Sequence, residues 1–177
     1  MVMSDERIDA YSDAMFEVAR AEGTVDEVED ELFRFARAFE SSDELREALT
    51  DAHIPASRRQ QIVEDLLGPR ATSTTTALVS MVVGIGRGRD LPAIIDSLVQ
   101  KSAASHNKEV AEVRSVMELN AQQLTRITDA IQKATGKQVE VKVVIDPTIL
   151  GGVVTTVGDT VIDGSVRTRL EQLKNVI

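Results

Sequence analysis

The stretch Val141-Lys142-Val143-Val144-Ile145-Asp146-Pro147-Thr148-Ile149-Leu150-Gly151-Gly152-Val153 decides the second part of this chain. Val139, Val141, Val143 and Ile145 alternate with Gln138, Glu140, Lys142 and Val144, the period-two signal of a strand. Asp146-Pro147 breaks that strand, because Pro donates no backbone hydrogen bond and restricts the residue before it. Gly151-Gly152 precedes a second short strand with Val153, Val154 and Val157, and Gly158-Asp159 reads as a hairpin turn into Thr160–Ile162. Asp163 and Gly164 then lead to Ser165, which can cap a last helix with Val166, Leu170, Leu173 and Ile177 inward. The order is strand, turn, strand, tight hairpin, capped helix. Each glycine falls where a turn or a close backbone approach is needed.

Working upstream, Val110 to Met117 is Val-rich and reads as a further strand. Asn120 can cap a helix whose stripe is Leu124, Ile127, Ile131 and Ala134 and which Gly136 ends. These elements make a small α/β unit over residues 106–177, with the boundary near residues 103–109.

Residues 1–105 read as short helices. Ile8, Tyr11, Met15 and Val18 form one apolar stripe, and Gly23 stops that helix. Thr24 and Glu27 have capping-box spacing before a stripe of Val25, Val28, Leu32, Phe35 and Phe39. Asp26, Glu29, Asp30 and Arg37 fall on the opposite face, which a solvated surface explains. Ser41 and Glu44 repeat the capping spacing before a brief helix with Leu45 and Leu49. Pro55 fits the first turn of the next, which carries Ile62, Val63, Leu66 and Leu67 and ends at Gly68-Pro69. A Thr-rich link, Thr72 to Thr76, leads to Leu78, Val79, Met81, Val82, Val83 and Ile85, which cover most of a helix circumference and predict a central helix. Asp90 can cap a sixth helix with Leu91, Ile94, Ile95, Leu98 and Val99. The fold class expected is mainly α: an N-terminal six-helix bundle followed by a small α/β C-terminal domain.

Composition narrows the function. Apolar residues make up 42% of the chain, enough for a core, but aromatics only 3%, with no Trp. The core must be aliphatic, and platforms for stacking bases or sugars are nearly absent. There is no Cys, so disulfides, thiolate metal sites and a Cys nucleophile are excluded. Met1 to Arg20 alternate charged and apolar side chains, so no secretory signal is readable there. The longest nearly apolar run, Ala77 to Ile85, is roughly half of the ~20 residues a spanning helix needs. Membrane association is therefore expected only through a partner. Residues 1–105 hold 11 Lys/Arg against 20 Asp/Glu, and residues 106–177 hold nine of each, so the whole formal charge of −9 lies in the helical part. Such a surface repels phosphate backbones and suits a basic partner.

No constellation supports chemistry. Gly84-Ile85-Gly86-Arg87-Gly88-Arg89-Asp90 invites a phosphate-loop reading, but such loops usually follow a strand, and this one follows a helix without a Gly-Lys-Ser/Thr. A flexible helix–helix turn is the simpler reading. His53 and His106 lie apart, each without a nearby cluster of ligands, so a metal site is not expected. No catalytic set and no cofactor motif emerges. A KH-type nucleic-acid module would need a Gly-x-x-Gly loop between helices and a basic surface, and neither is present.

The tail pattern resembles the C-terminal signature of the delta subunits of F-type ATP synthases, whose mitochondrial relative is the oligomycin-sensitivity-conferring protein. Asp146, Pro147, Leu150, Gly151, Gly152, Asp163, Ser165, Leu170 and Leu173 carry it. Tyr11-Ser12-Asp13-Ala14-Met15-Phe16-Glu17-Val18-Ala19 is similar to the family's opening Tyr-x-x-Ala-hydrophobic-Phe helix. The glycine-rich turn at Gly84 to Gly88 departs from the family pattern. The resemblance implies a non-catalytic stator subunit at the cytoplasmic face of the bacterial plasma membrane. Its helical part, residues 1–105, would grip N-terminal segments of alpha subunits of the catalytic head. Its α/β part, residues 106–177, would be held by the b subunits of the peripheral stalk. The family's groove between the first and fifth helices implies a site at Tyr11, Ala14, Met15, Val18, Leu78, Met81 and Val82; spacing alone leaves each side chain open between groove and core. The other reading the residues allow is a small regulatory or ligand-binding α/β protein.

Overall fold

The computed structural model describes residues 5–106, 108–149 and 151–164. Leu150, Ser165, Leu170 and Leu173, and with them the expected last helix, lie outside the described residues. The chain divides into two compact units, Met1–Ser102 and Ala103–Ile177.

The helical part runs α1 (Asp5–Glu22), α2 (Val25–Ser41), α3 (Asp43–Thr50), α4 (Ala56–Leu67), α5 (Ser73–Gly84), one 3-10 turn (Gly88–Asp90) and α6 (Leu91–Ser105). The second part contains β1 (Glu109–Ser115), α7 (Ala121–Thr135), β2 (Val139–Ile145), β3 (Val153–Val157) and β4 (Thr160–Asp163). The molecule is therefore mainly helical with a small sheet. The expected count of six helices describes only the part before the sheet: α7 makes seven among the described residues, and the 3-10 turn is an added element.

Local signals place the helix ends, with corrections. α1 closes with Gly23 N–H on Arg20 O and Thr24 N–H on Ala19 O, the paired bonds of a Schellman end. Thr24 makes no side-chain cap, and its hydroxyl is buried without a partner, so the expected capping box is absent. The cap of α3 is Ser42 and not Ser41: Ser42 Oγ accepts from Leu45 N–H at 3.2 Å, while Ser41 Oγ donates to Ala38 O inside α2. Ser42→Ala should cost about 1 kcal/mol and Ser41→Ala close to nothing, as urea denaturation would show. Pro55 is the residue before α4 rather than within its first turn. The Thr-rich link is mostly helix, because Thr72 Oγ1 accepts from Thr75 N–H at 3.2 Å and starts α5 at Ser73.

In α2 the expected stripe is buried from Val28 onward, with Val28, Leu32, Phe35 and Phe39 at most 4% exposed, while Val25 at its start is half-buried. Yet Phe33, Ala36 and Glu29 are buried too. Glu29 thus leaves the solvated face assigned to it. Arg37 leaves it in part, bonding Asp96 of α6 at 2.5 Å and lying over the Phe33 ring at 4.8 Å from its centroid. The reason is that α2 packs against α1, α3 and α5 at once, so its enclosed sector is wider than its apolar stripe.

The glycine-rich turn is closely packed at Gly88, while a Cβ on Gly86 would meet open space. A Cβ on Gly88 would lie 2.8 Å from the Leu49 carbonyl oxygen, and one on Gly84 would lie 2.5 Å from the Gln60 amide. At Gly88 the neighbour is backbone, which approaches this closely only where a side chain is missing, whereas the Gln60 amide is the end of a flexible side chain.

The sheet has strand order β2-β1-β3-β4. β1 and β2 are parallel, joined through α7, whereas β3 pairs antiparallel with both β1 and β4. Ala111, Val113, Val139 and Val157 point to the same core as Ile131 of α7, with Leu119, Ile127, Val141 and Val153 packed against it. β1 ends at Ser115, two residues before the expected Met117, which is 65% exposed. Val157 pairs with Thr160, which leaves Gly158-Asp159 as the expected two-residue hairpin.

Candidate partner-binding surface on the first and fifth helices

α1 and α5 pack side by side. The structure divides the seven residues expected there by which way each helix turns them. Met15 and Val82 are fully buried and Leu78 is 5% exposed, so these three are core. Tyr11 is half-buried. Ala14 is exposed, and Val18 and Met81 stand 45% and 42% exposed. The division follows helix geometry: Ala14 and Val18 are four residues apart and share one face.

The same geometry identifies what the sequence reading missed. Ala77, Met81 and Ile85 lie four apart on or at the end of α5, and all are exposed, Ile85 at 53%. On α1, exposed Ala10 extends the line of Ala14 and Val18. The spacing was legible, but α5 is apolar on nearly every side, so hydrophobicity alone does not show which side faces out. Its expected central position holds only for Leu78, Val79, Val82 and Val83.

Each of these two helices is tied down by a charged group from a third helix. Lys101 of α6 donates to Asp9 O at 3.1 Å, Ser12 Oγ at 2.9 Å and Asp13 Oδ1 at 2.6 Å, all on α1. Ser97 adds bonds to Asp9 Oδ1 and to the fully buried Ser12. The Ser97 hydroxyl and then the Lys101 charge hold Asp9 below the usual carboxylate range. Burial opposes the Lys101 charge, but Asp13 and then Asp9 outweigh it and raise its pKa. On the other side, Glu31 of α2 accepts from Thr72 N–H at 2.9 and 3.0 Å and from Thr72 Oγ1 at 2.9 Å. A carboxylate at the start of α5 also meets the positive end of the helix dipole. Burial pushes Glu31 up, yet the bonds from Thr75 and Thr72 leave its carboxyl below the usual range.

In the second unit the described signature residues, Asp146, Pro147, Gly151, Gly152 and Asp163, lie at turns and strand ends. Asp146 N–H bonds Ser115 O at 2.8 Å, carrying the β1–β2 ladder one step further. Its carboxylate accepts from Thr148 Oγ1 at 2.6 Å and Thr148 N–H at 2.9 Å, bonds that draw its pKa down, with Arg114 adding at 3.5 Å. Pro147 follows at an exposed turn. Gly151 and Gly152 have φ of 127° and 80°, a region closed to most side chains. Asp163 pairs with Val154, and Gly164 N–H bonds Val153 O at 3.0 Å.

Other places offer little to a ligand. His53 is exposed at the surface, its Nδ1 2.9 Å from Asp51 Oδ1, and His106 is exposed at the end of α6. An open cleft of about 460 Å³ is lined by Phe39, Asp43, Arg46, Glu47, Thr50 and Arg89; its charges balance, and Arg46 is paired with Asp43. Among the described residues no helix is long and apolar enough to cross a membrane.

A family model described as the ATP synthase delta (OSCP) subunit matches residues 8–177. An ATP synthase subunit delta of Nocardia farcinica is 38% identical over 162 residues, covering 92% of this chain and 60% of that protein. One of Streptomyces avermitilis is 39% identical over 130 residues, covering 73% and 48%. One of Desulforudis audaxviator is 32% identical over 167 residues, covering 94% and 92%. The chain thus spans only 48% and 60% of the Streptomyces and Nocardia relatives. A chain of the cryo-EM structure of the Toxoplasma gondii mitochondrial ATP synthase hexamer matches with a TM-score of 0.57 over 95% of each chain, at 23% identity, and so shares the fold. With a match that runs through both the helices and the signature at the end of β2, this chain belongs to the ATP synthase delta (OSCP) subunit family.

Proposed function

We propose that this chain is a non-catalytic stator subunit of an F-type ATP synthase. It links the catalytic head to the peripheral stalk and resists rotor torque while protons drive ATP synthesis. The observation that carries the reading is the pair of exposed apolar lines on neighbouring helices, Ala14 and Val18 on α1 with Ala77, Met81 and Ile85 at α5. Such lines suit an amphipathic helix lying in a groove, and the occupant is an alpha-subunit N-terminal segment. Met is apt at such a surface because its unbranched side chain adapts to a partner. The acidic excess of residues 1–105 speeds encounter with a basic segment.

Residues 106–177 take the b subunits of the stalk. Val116, Met117 and Ile145 are exposed at the C-terminal end of the parallel β1–β2 pair, where Ser115 is the register partner of Ile145, and they offer an apolar contact for this role. The chain would sit at the cytoplasmic face of the bacterial plasma membrane, held there through the complex.

Calorimetry of the full chain with a synthetic alpha N-terminal peptide tests the head contact. Saturable binding is expected, with an association rate, followed by stopped-flow mixing, that falls as salt rises. No binding would sink the groove assignment, and a rate indifferent to salt would remove its electrostatic part. Co-purification with alpha and b subunits from membranes tests the whole reading.

A further inference from the structure

We infer that the α1–α5 docking surface is held in shape from behind by two charged groups that never touch the partner: Lys101 fixes α1, and Glu31 fixes α5. The inference rests on the groove reading above and assigns these residues a positioning role within it.

The exposed lines of α1 and α5 stand on two different helices, so a bound helix senses their spacing and rotation. Apolar packing between helices tolerates small slides and rotations, because dispersion contacts have no fixed direction. Hydrogen bonds do not, since they weaken steeply away from linear geometry. Lys101 reaches three acceptors on two successive turns of α1, Asp9 O, Ser12 Oγ and Asp13 Oδ1, at 2.6 to 3.1 Å. The three acceptors, one of them the main-chain carbonyl of Asp9, tether this face of α1 to α6 and restrict how far it can slide or turn. Asp13 is followed directly by exposed Ala14, so any rotation at this point redirects the docking line.

Glu31 does the same for α5 at its first residues. Both of its oxygens bond Thr72 N–H, and one also takes the Thr72 hydroxyl, at 2.9 to 3.0 Å. Thr72 is itself the cap of α5 through Thr75 N–H. The carboxylate thereby holds the end of α5 against α2, two turns before Met81. Lys101 and Glu31 are both partly buried and both lie off the exposed apolar lines.

The test compares full-length wild type with Lys101→Met, Glu31→Gln, Met81→Asp and Leu49→Ala, using the synthetic alpha N-terminal peptide well below the unfolding transition. Lys101→Met and Glu31→Gln should each bind on the order of tenfold more weakly, mainly through faster dissociation. Leu49 is a fully buried α3 residue outside the surface. Its Ala variant should lose stability while keeping wild-type affinity, and that separates positioning from general destabilisation. Wild-type affinity in both charge variants, or a loss that Leu49→Ala reproduces at matched stability, would overturn the inference while Met81→Asp still reported on the groove. Absence of binding by the wild type would overturn the groove reading itself, and this inference with it.

Discussion

Met81→Asp, alone or with Val18→Asp, should abolish detectable binding of the alpha N-terminal segment and leave the fold intact. Met81 and Val18 are 42% and 45% exposed, so a carboxylate at either place stays hydrated in the free protein. Surface substitutions of this kind usually change stability by about 0.5 kcal/mol or less. In the complex the same carboxylate would be covered by the apolar face of a helix. An unpaired charge in such a place costs several kcal/mol, and about 3 kcal/mol already weakens binding by more than ~100-fold. The added charge raises the long-range attraction to a basic segment only modestly and only at low salt, which does not offset the burial of an unpaired carboxylate in the complex. Calorimetry with the peptide and a thermal melt of each variant together make the check. A Met81→Asp variant that binds like wild type would remove α5 from the docking surface.

Leu32→Ala should act in the opposite way, destabilising strongly through the core. Leu32 is fully buried in α2, the helix that packs against α1, α3 and α5. Truncating such a Leu loses its transfer free energy and leaves a cavity, together about 2–5 kcal/mol. Domain stabilities are about 5–15 kcal/mol in all, so this one change removes a large share of the margin. The midpoint of urea unfolding should fall with little change in the slope. A shift no larger than that of Met81→Ala, which removes an exposed side chain, would show that α2 is not the centre of the helical unit.

The contrast between Leu32 and Met81 also shows how far the amino-acid pattern reaches. In α2 charged and apolar residues alternate with helical period, so the stripe from Val28 to Phe39 was legible. What the period does not show is how wide the enclosed sector is, which takes in Glu29 wholly and Arg37 in part. In α5 the sequence is apolar on nearly every side, so period carries no direction. Met81 and Ile85 look like Val82 and Val83 until neighbours are present. The polar ties were equally hidden. Lys101 and Asp13 are 88 residues apart and Glu31 and Thr72 are 41 apart, separations at which no local spacing rule applies.

The sequence by itself determined the strand–turn–strand–hairpin order after Gln138, because alternation, Asp146-Pro147 and the glycines act within a few residues of one another. It determined the number of helices before the sheet and the acidic character of that part for the same reason, since propensity, caps and charge are local or additive. Only the tertiary structure decided which faces are surface. Met15, Leu78 and Val82 became core while Ala14, Val18, Ala77, Met81 and Ile85 stayed outside, because burial depends on which helices pack together. It also decided that Gly84 and Gly88 are contacts rather than slack, since their neighbours, Gln60 and Leu49, come from α4 and α3.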